Sequence, residues 1–475
     1  MKQKNDMLNR LISFTHDLRY EDLPKCVVHE TKRRVIDALG CSLGSLSDER
    51  VMKLRRELRK ENCGVSARGF VIGMGERLSL DYAAFLNSAM IRWLDYNDTY
   101  LALEPAHPSD NLGLIFAICG KKQISGKDFI TATAVAYDIQ CRLCEAASLR
   151  KHGWDHVNYL LFSSTLAGAK LLGFDQRQMY DAVAFSLNSN IAMRQARVGT
   201  VGEQKNMAAA DACRAAAWAL MKVKAGFKGP EDIVFGTYGF VRQVSKGFRS
   251  SAFKGLGQEF LIQDTYLKKY PVEYHAQTAV EHALAFRSSL RGSPRASDIS
   301  VVLLKSYEAA LSIIGGQEKY RPKTKESADH SLYYAFAVAL LKGRFTLKEY
   351  CPELISNSDV LAVADKITLT EYKPFTDLYR NADRTKRAFP SYALLLMKNG
   401  RVFEDFRNYP KGHPKNPLTD EEVTAKFLEM TKGVCSYPDN LIDHLWHLEN
   451  IPAPFSDMKL LLDVIKTHGE NGWRL

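Results

Sequence analysis

Carboxylate and hydroxyl side chains that could take part in acid–base chemistry are concentrated in the run RWLDYNDTY at positions 92–100. Asp95, Asp98 and Thr99 stand at i, i+3 and i+4. A helix that continued through them would therefore present two carboxylates and a hydroxyl group on one face. The alternative interpretation is that Asp98 and Thr99 cap the end of a helix.

Six residues further along, the run HPSDN begins with a histidine, His107. A residue that precedes proline is driven out of the helical conformation, so we expect His107 in an extended turn. Ser109 or Asp110 would then cap a helix that begins near Asn111. Because histidine titrates near neutral pH, a loop histidine just before a helix is well placed to move protons or to contact an anion.

The charge balance favours a small anionic partner. Lys and Arg number 65 against 54 Asp and Glu, which gives a formal net charge of +11 over 475 residues. Such a surplus can serve nucleic acid, an acidic membrane surface or an anionic substrate. The densest basic clusters, at 53–60 and 321–325, are short and typical of solvated faces rather than of nucleic-acid-binding runs. We therefore expect a small anionic substrate and no nucleic acid.

Neither a membrane segment nor a cysteine framework is predicted. Charges are spread through the first 20 residues, unlike a signal peptide, and no run approaches the ~18 apolar residues of a membrane-spanning helix. Nine cysteines are an odd number, which argues against a disulfide framework. Cys141 and Cys144 form a lone C-x-x-C pair in a predicted helix, without a second pair at zinc spacing. We expect no membrane association, no metal and a cytoplasmic or similarly reducing location.

The elements that must position these residues are mostly helices. Helical periodicity dominates positions 1–226 and returns after Tyr409-Pro410, where TDEE at 419–422 is a capping box. Between these parts, helices alternate with strands predicted at 299–304 and 366–369. A hairpin at 391–406 is predicted to turn at Asn399-Gly400, since both residues tolerate positive φ.

This pattern predicts a mostly α fold in which a large all-helical domain is built from both ends of the chain. The helical domain is expected to comprise residues 1–268 and 412–475. A smaller α+β domain, residues 269–411, is expected as an insertion between them.

The motifs resemble those of the MmgE/PrpD family. RWLDYNDTY followed six residues later by HPSDNLG is similar to the signature of its 2-methylcitrate dehydratases. The resemblance extends through GWDHV at 153–157, Lys205 with its alanine-rich segment, YPVEYHAQT at 270–278, ADHS at 328–331 and GH at 412–413. It implies a helical domain with an inserted lid, an active site in the cleft between them, and a homodimer.

The resemblance also implies the site residues. The expected catalytic residues, which move protons or contact the reacting groups, are Asp95, His107, His156, Lys205 and Tyr334. The expected substrate-binding residues are Thr99, Arg194, Lys268, Lys269, Glu273 and His275. Glu273 stands where the family's decarboxylase carries a histidine, whereas the dehydratases carry Glu there and a histidine two residues later, which matches His275.

Lys205, Lys268 and Arg194 are predicted to hold the substrate's carboxylates, with Lys269 or Arg197 as substitutes. Lys205 begins an alanine-rich helix, where a lysine opposes the helix dipole, and an anion bound at that helix start would relieve the conflict. Alternatively, Lys268 and Lys269 are a solvated surface pair and Arg194 pairs with a helix end or a carboxylate.

His107 and His156 are the predicted proton-transfer pair, and the sequence leaves open which one is the acid and which the base. Asp95 would orient a histidine or act as a base itself, while Thr99 and Tyr334 would hydrogen-bond the substrate. A satisfied core histidine is the alternative interpretation of His156.

The expected function is that of a lyase which acts on a small di- or tricarboxylate without a cofactor, with dehydration of 2-methylcitrate as the leading reaction. Decarboxylation of cis-aconitate and epimerisation of an iminodisuccinate-type dicarboxylate are the alternatives within the family. The run MRQARVG, which begins at Met193, differs from the Tyr-Arg-His stretch of the dehydratases, so the substrate stays open. A non-catalytic scaffold is disfavoured, because a scaffold does not need these side chains.

Overall fold

The computed structural model describes residues 6–62, 68–73, 77–120, 124–198, 202–290 and 292–453. Most of the secondary structure in these residues is helical, and the named strands form one small sheet. The predicted mostly α fold is therefore confirmed. The expected helical domain extends to residue 475, and its residues after 453 lie outside those described. In the described part of the chain, no helix combines the length and the apolar character needed to cross a bilayer.

Along the sequence, one group of helices precedes the region that contains the sheet and a second group follows it. The helices before it are α1 (Asp6–Asp17), α2 (Lys25–Gly44), α3 (Glu49–Asn62), α4 (Leu80–Trp93), α5 (Leu112–Cys119), α6 (Gly126–Ala146), α7 (Leu160–Leu171), α8 (Gln176–Asn188) and α9 (Gln204–Lys224). The elements of the sheet region are α10 (Gln277–Ser289), β1 (Ile299–Ser306), α11 (Glu308–Ile314), α12 (Lys325–Ala328), α13 (Leu332–Lys342), α14 (Pro352–Ile355), α15 (Ser358–Ala364), β2 (Ile367–Glu371), α16 (Lys373–Tyr379), β3 (Ser391–Met397) and β4 (Val402–Arg407). The helices after it are α17 (Asp420–Thr431) and α18 (Pro438–Trp446).

The chain divides into two compact units. The first unit combines Met1–Gln195, Gln204–Thr265 and Thr419–Leu475. The second unit combines Ala196–Glu203 and Tyr266–Leu418. The domain limits expected from the sequence, at 268/269 and 411/412, stay a prediction.

Close helix packing builds the first unit. Helix α9, the alanine-rich helix expected after Lys205, packs against α4, α7 and α8. Most of its alanines are buried, since small side chains let helices approach closely. A similarly close approach occurs at Gly113 in α5, where an added Cβ would lie 2.6 Å from the backbone nitrogen of Ser88 in α4. Helix α17 packs against α2, so the later part of the chain returns to this unit.

The second unit is built on a four-stranded sheet with the order β2-β1-β3-β4. Strand β1 is parallel to β2 and antiparallel to β3, and β3 and β4 form an antiparallel hairpin. The strands and the hairpin predicted from the sequence are confirmed, and Gly400 in the turn has a φ of 83°. Alternate residues of β1 and β3 are buried, among them Val302 and Leu395, in a cluster that includes residues of α10 and α13.

A buried histidine ties α10 to this sheet. His282 places Nδ1 2.8 Å from an oxygen of Asp405 and Nε2 2.8 Å from the hydroxyl oxygen of Ser391. Burial lowers the pKa of His282, although the Asp405 carboxylate opposes that shift. The histidine thereby satisfies polar groups on both strands of the hairpin.

Candidate functional site

The segment that follows α4 carries the first predicted site residues, and it is not helical. Helix α4 ends at Trp93, and Asp95 adopts a left-handed backbone conformation with a φ of 52°. Asp95, Asp98 and Thr99 therefore do not share a helical face, and that interpretation was wrong. A left-handed residue commonly ends an α-helix, and aspartate is among the few non-glycine residues that tolerate it.

The Asp98 side chain stabilises the turn that begins at Pro108. Its Oδ1 accepts a hydrogen bond of 3.0 Å from the backbone N–H of Ser109, in the 3₁₀ turn Pro108–Asn111 that leads into α5. The predicted capping of α5 by Ser109 or Asp110 was wrong, because Asn111 is the N-cap and makes no side-chain capping bond. Burial raises the pKa of Asp98, opposed by hydrogen bonds from Ser109 and Tyr137.

Asp95 lies between two basic side chains. Arg92 forms a short ion pair with its Oδ1, and Nζ of Lys205 lies 3.9 Å from its Oδ2. All three side chains are almost completely removed from solvent. Buried charges are favourable only when they are paired and hydrogen-bonded, so this arrangement holds two cations and one carboxylate in a low-dielectric environment.

His107 is oriented through both ring nitrogens. Its Nδ1 lies 2.7 Å from the carbonyl oxygen of Asp98 and 3.3 Å from Oγ1 of Thr99, while Nε2 lies 3.0 Å from Nη2 of Arg92. A carbonyl oxygen can only accept a hydrogen bond and a guanidinium group can only donate one. The proton therefore sits on Nδ1, and Nε2 carries the lone pair.

His156 approaches His107 from a second loop. The two ring centroids lie 5.7 Å apart, and Nδ1 of His156 lies 3.2 Å from Oδ1 of Asp155. A carboxylate next to Nδ1 orients the ring and stabilises its imidazolium form. His156 is buried, as a core histidine would be, and its ring also lies beside that of His107.

Arg194 lies next to the His156 loop. Its backbone N–H donates to the carbonyl of Gly153, and the preceding residue, Met193, forms a β-bridge with Trp154. The backbone N–H of Asp155 donates to the carbonyl of Ala192. The residues around Arg194 therefore hold the segment that carries His156. Arg194 is the first residue of a 3₁₀ turn, and it is half-buried.

The remaining predicted residues belong to the second unit. Lys268 is fully buried and Lys269 is half-buried, so the interpretation as a solvated surface pair was wrong for Lys268. Glu273 accepts a hydrogen bond from the backbone N–H of His275, whose Nδ1 lies 2.7 Å from the hydroxyl group of Tyr307.

Tyr334 also lies in the second unit, where its hydroxyl group donates a short hydrogen bond to the carbonyl of Glu349. Burial raises the pKa of Tyr334, so this side chain stays neutral at physiological pH. Within the two units, the structure thus brings together Asp95, Thr99, His107, His156 and Lys205 in one, and Glu273 and His275 in the other.

Two residues that the sequence interpretation missed complete the geometry of the first group. Arg92 is three residues before Asp95, and that i, i+3 spacing of opposite charges was the available signal. Asp155 directly precedes His156 in the sequence. Both act on a histidine that was predicted, one on His107 and the other on His156.

The C-x-x-C pair lies in the helix where it was predicted. Cys141 and Cys144 are buried in α6, and burial raises the pKa of both thiols well above the usual value. Metal coordination needs the thiolate form, which this environment disfavours.

Comparison with known proteins identifies the family of the chain. The chain matches the MmgE/PrpD N-terminal domain over residues 9–252 and the MmgE/PrpD C-terminal domain over residues 270–447. It is 32% identical over 421 residues to the 2-methylcitrate dehydratase of Cupriavidus necator, with 84% of each chain covered. The 2-methylcitrate dehydratase of Escherichia coli strain K12 is 31% identical over 420 residues, also with 84% of each chain covered.

A relative with a differently named substrate extends the comparison. The alkylcitrate dehydratase of a fungal species is 28% identical over 440 residues, which cover 87% of this chain and 85% of the relative. Because both domain profiles match and relatives above 30% identity cover most of its length, this chain belongs to the MmgE/PrpD family.

Proposed function

We propose that this chain is a hydro-lyase that dehydrates 2-methylcitrate to 2-methylaconitate by acid–base proton transfer and without a cofactor. The observation that carries the proposal is the pairing of His107 and His156, whose ring centroids lie 5.7 Å apart and whose nitrogens have different partners. The names of the relatives, 2-methylcitrate dehydratase and alkylcitrate dehydratase, support a citrate that carries an alkyl group.

The proposed reaction requires two proton transfers. A base takes the proton from a carbon next to a carboxylate, the C–H electron pair forms the double bond, and the C–O bond of the hydroxyl group breaks. An acid protonates the departing hydroxyl group, which leaves as water. A positioned acid or base typically contributes ~10²–10⁴ in rate.

The hydrogen bonds of the two histidines favour one division of labour. His107 is the proposed base, because Nδ1 donates to the Asp98 carbonyl and the only lone pair of the ring is on Nε2, where the substrate proton would take the place of the hydrogen bond from Arg92. His156 is the proposed acid, because Asp155 at Nδ1 stabilises the ring when Nε2 also carries a proton. Asp95 would then act through Arg92, which it holds in place beside His107.

Cations must hold the carboxylates of the substrate and stabilise the charge that develops next to the breaking C–H bond. Lys205 and Arg92 are the proposed cations, since both already approach the Asp95 carboxylate. Lys205 is the second residue of α9, where the N–H groups of the first helical turn also favour an anion. The roles expected from the resemblance stay predictions for Thr99, Arg194, Lys268, Lys269, Glu273, His275 and Tyr334.

Incubation of the purified protein with 2-methylcitrate, citrate, cis-aconitate and iminodisuccinate in separate reactions tests the proposal. We expect the conjugated double bond of the product to appear, by its ultraviolet absorbance, fastest with 2-methylcitrate. Carbon dioxide release from cis-aconitate, without an unsaturated product from 2-methylcitrate, would overturn the dehydratase assignment in favour of a decarboxylase. Interconversion of iminodisuccinate stereoisomers alone would favour an epimerase.

We also propose that the protein is a homodimer, as the family resemblance implies. Two large apolar side chains of the first unit support a protein partner: Trp218 is 54% exposed and Phe227 is 65% exposed. Size-exclusion chromatography with multi-angle light scattering should give about twice the chain mass of 53.5 kDa. A mass equal to that of one chain at micromolar concentration would contradict the dimer.

A further inference from the structure

Glu104 is a buried carboxylate in the loop that leads to His107. Tyr100 and Ala106 form a β-bridge that closes this loop, and Glu104 stands near its tip with its side chain removed from solvent. The backbone N–H of Glu104 donates to the carbonyl of Cys144, at the end of α6. The loop is therefore attached to α6 as well as closed on itself.

The Glu104 side chain joins this loop to the segment that leads to His156. One oxygen, Oε2, lies 3.0 Å from the Ser148 hydroxyl oxygen and accepts a second hydrogen bond of 2.9 Å from the backbone N–H of Arg150. The same segment continues to Trp154, whose N–H donates to the carbonyl of Leu149. Glu104 is three residues before His107, and its acceptor contacts lie six and eight residues before His156.

The charge environment of Glu104 is mixed. Burial raises its pKa to about 7, opposed by the hydrogen bonds from Arg150 and Ser148 and by the positive charges of Arg194 and Arg150. A negative charge on Glu104 also helps to raise the pKa of the neighbouring Cys144 and Tyr159 side chains. Its second oxygen, Oε1, has no hydrogen-bond partner among the described residues. Burial of a carboxylate with one unsatisfied oxygen is costly, so packing alone does not account for a glutamate here.

We propose that Glu104 is a positioning residue which sets the separation of His107 and His156 by joining the two loops that carry them. This inference rests on the proposed function, because the separation matters only if the two rings exchange protons with one substrate. Displacements of about 1 Å in an active site can cost about 10²-fold in rate.

The test compares Glu104→Ala, Glu104→Gln and a control, Glu145→Gln. Alanine removes both acceptor contacts, whereas glutamine keeps one carbonyl oxygen that can accept them. Glu145 accepts a hydrogen bond from Tyr100 in the same loop, and its substitution leaves both contacts of Glu104 with the His156 segment in place.

We expect kcat of Glu104→Ala to fall by about 10²-fold while KM changes by less than about threefold, because proton transfer and not binding depends on the ring separation. Glu104→Gln and Glu145→Gln should stay within about threefold of the wild-type kcat. Equal losses in Glu104→Gln and Glu104→Ala would overturn the role of the hydrogen bonds, and so would a wild-type kcat in Glu104→Ala.

A structural measurement keeps the inference separate from the proposed reaction. Crystal structures should give a ring-centroid separation greater than 5.7 Å in Glu104→Ala, and an unchanged one in Glu104→Gln. Ser148→Ala, which removes one of the two contacts, replaces Glu104→Ala if the latter does not fold. If the wild type fails to dehydrate any alkylcitrate, the proposed function fails, whereas an unchanged separation in these variants contradicts the positioning role itself.

Discussion

Arg92 and His107 are joined by a contact of 3.0 Å between Nη2 of the guanidinium group and Nε2 of the imidazole. The other terminal nitrogen of Arg92 pairs with the Asp95 carboxylate. Asp95 itself has a left-handed backbone, with a φ of 52°. Arg92 thus connects the Asp95 carboxylate to the proposed base.

We predict that Arg92→Lys lowers kcat by about 10²-fold, because lysine keeps the charge but cannot contact Asp95 and His107 with the same planar fork. Steady-state kinetics with 2-methylcitrate measures the change. Arg214→Lys is the matched control, since Arg214 is 45% exposed and its ion pair with Asp211 is on the surface. A wild-type kcat in Arg92→Lys would remove the guanidinium group from the mechanism.

We predict that Asp155→Asn lowers kcat by roughly 10²–10⁴-fold, because the amide no longer stabilises a protonated His156. Asparagine keeps an oxygen for the backbone N–H of Val157, which Asp155 now binds, so the fold should be preserved. Asp175→Asn is the control: Asp175 caps α8 by accepting from Gln178, and its variant should keep full activity. A pH profile of kcat that is identical in Asp155→Asn and the wild type would contradict the assignment of His156 as the acid.

The parts of the fold that local patterns specify were predicted from the sequence. The Asn-Gly pair gave the β3–β4 hairpin, because positive φ at Gly400 is available at almost no steric cost. The alanine-rich run predicted helix α9, since alanine has the highest helix propensity.

The geometry of the site depends on contacts that no local pattern specifies. The end of α4 at Trp93 was not foreseen, because the following residues are compatible with either a helix or a turn. Lys205 is more than 100 residues from Asp95 in the chain, yet the two are 3.9 Å apart. Tertiary packing of α9 against α4 creates that pair, and single-sequence periodicity cannot detect it.

We predict that Gly412→Ala lowers the free energy of unfolding by about 3 kcal/mol or more, because backbone strain and a steric clash add. Gly412 has a φ of 97°, and an added Cβ would lie 2.0 Å from the carbonyl oxygen of Leu267. Gly400→Ala is the matched control, since Gly400 has a φ of 83° but nothing within 4 Å of an added Cβ. It should cost only about 1–2 kcal/mol, the price of the left-handed backbone alone.

Urea unfolding of both variants measures the difference. Equal losses of stability in Gly412→Ala and Gly400→Ala would contradict the close approach of the Leu267 carbonyl. Because Leu267 directly precedes Lys268, a displaced carbonyl should also move that lysine. Gly412→Ala should therefore raise KM if Lys268 binds the substrate as the resemblance implies.

We predict that His413 makes the second unit sensitive to acid. Its ring lies between those of Tyr266 and Tyr409, at centroid distances of 4.9 and 4.6 Å. The backbone N–H of Lys415 donates to its Nδ1, which requires that nitrogen to be unprotonated. Burial, with a smaller contribution from the charge of Lys415, lowers the pKa of His413 to about 3.

The sign follows from proton linkage. Above the unfolded pKa of about 6.5, His413 is neutral in both states and its contribution to stability is complete. As the pH falls below that value, the unfolded chain takes up a proton that the folded unit rejects, so stability is lost progressively down to pH 3. Each pH unit in this window costs about 1.4 kcal/mol.

Urea unfolding at pH 7 and pH 4.5 tests this prediction in the wild type, His413→Gln and the exposed-residue control His444→Gln. The loss of stability between the two pH values should be about 2–3 kcal/mol smaller in His413→Gln, because glutamine does not titrate. His444→Gln should lose as much stability as the wild type. His282 also has a lowered pKa, so it too loses stability as the pH falls. Because it is present in all three proteins, its contribution cancels in the comparison. An equal loss in all three would show that His413 does not stay neutral in the folded unit.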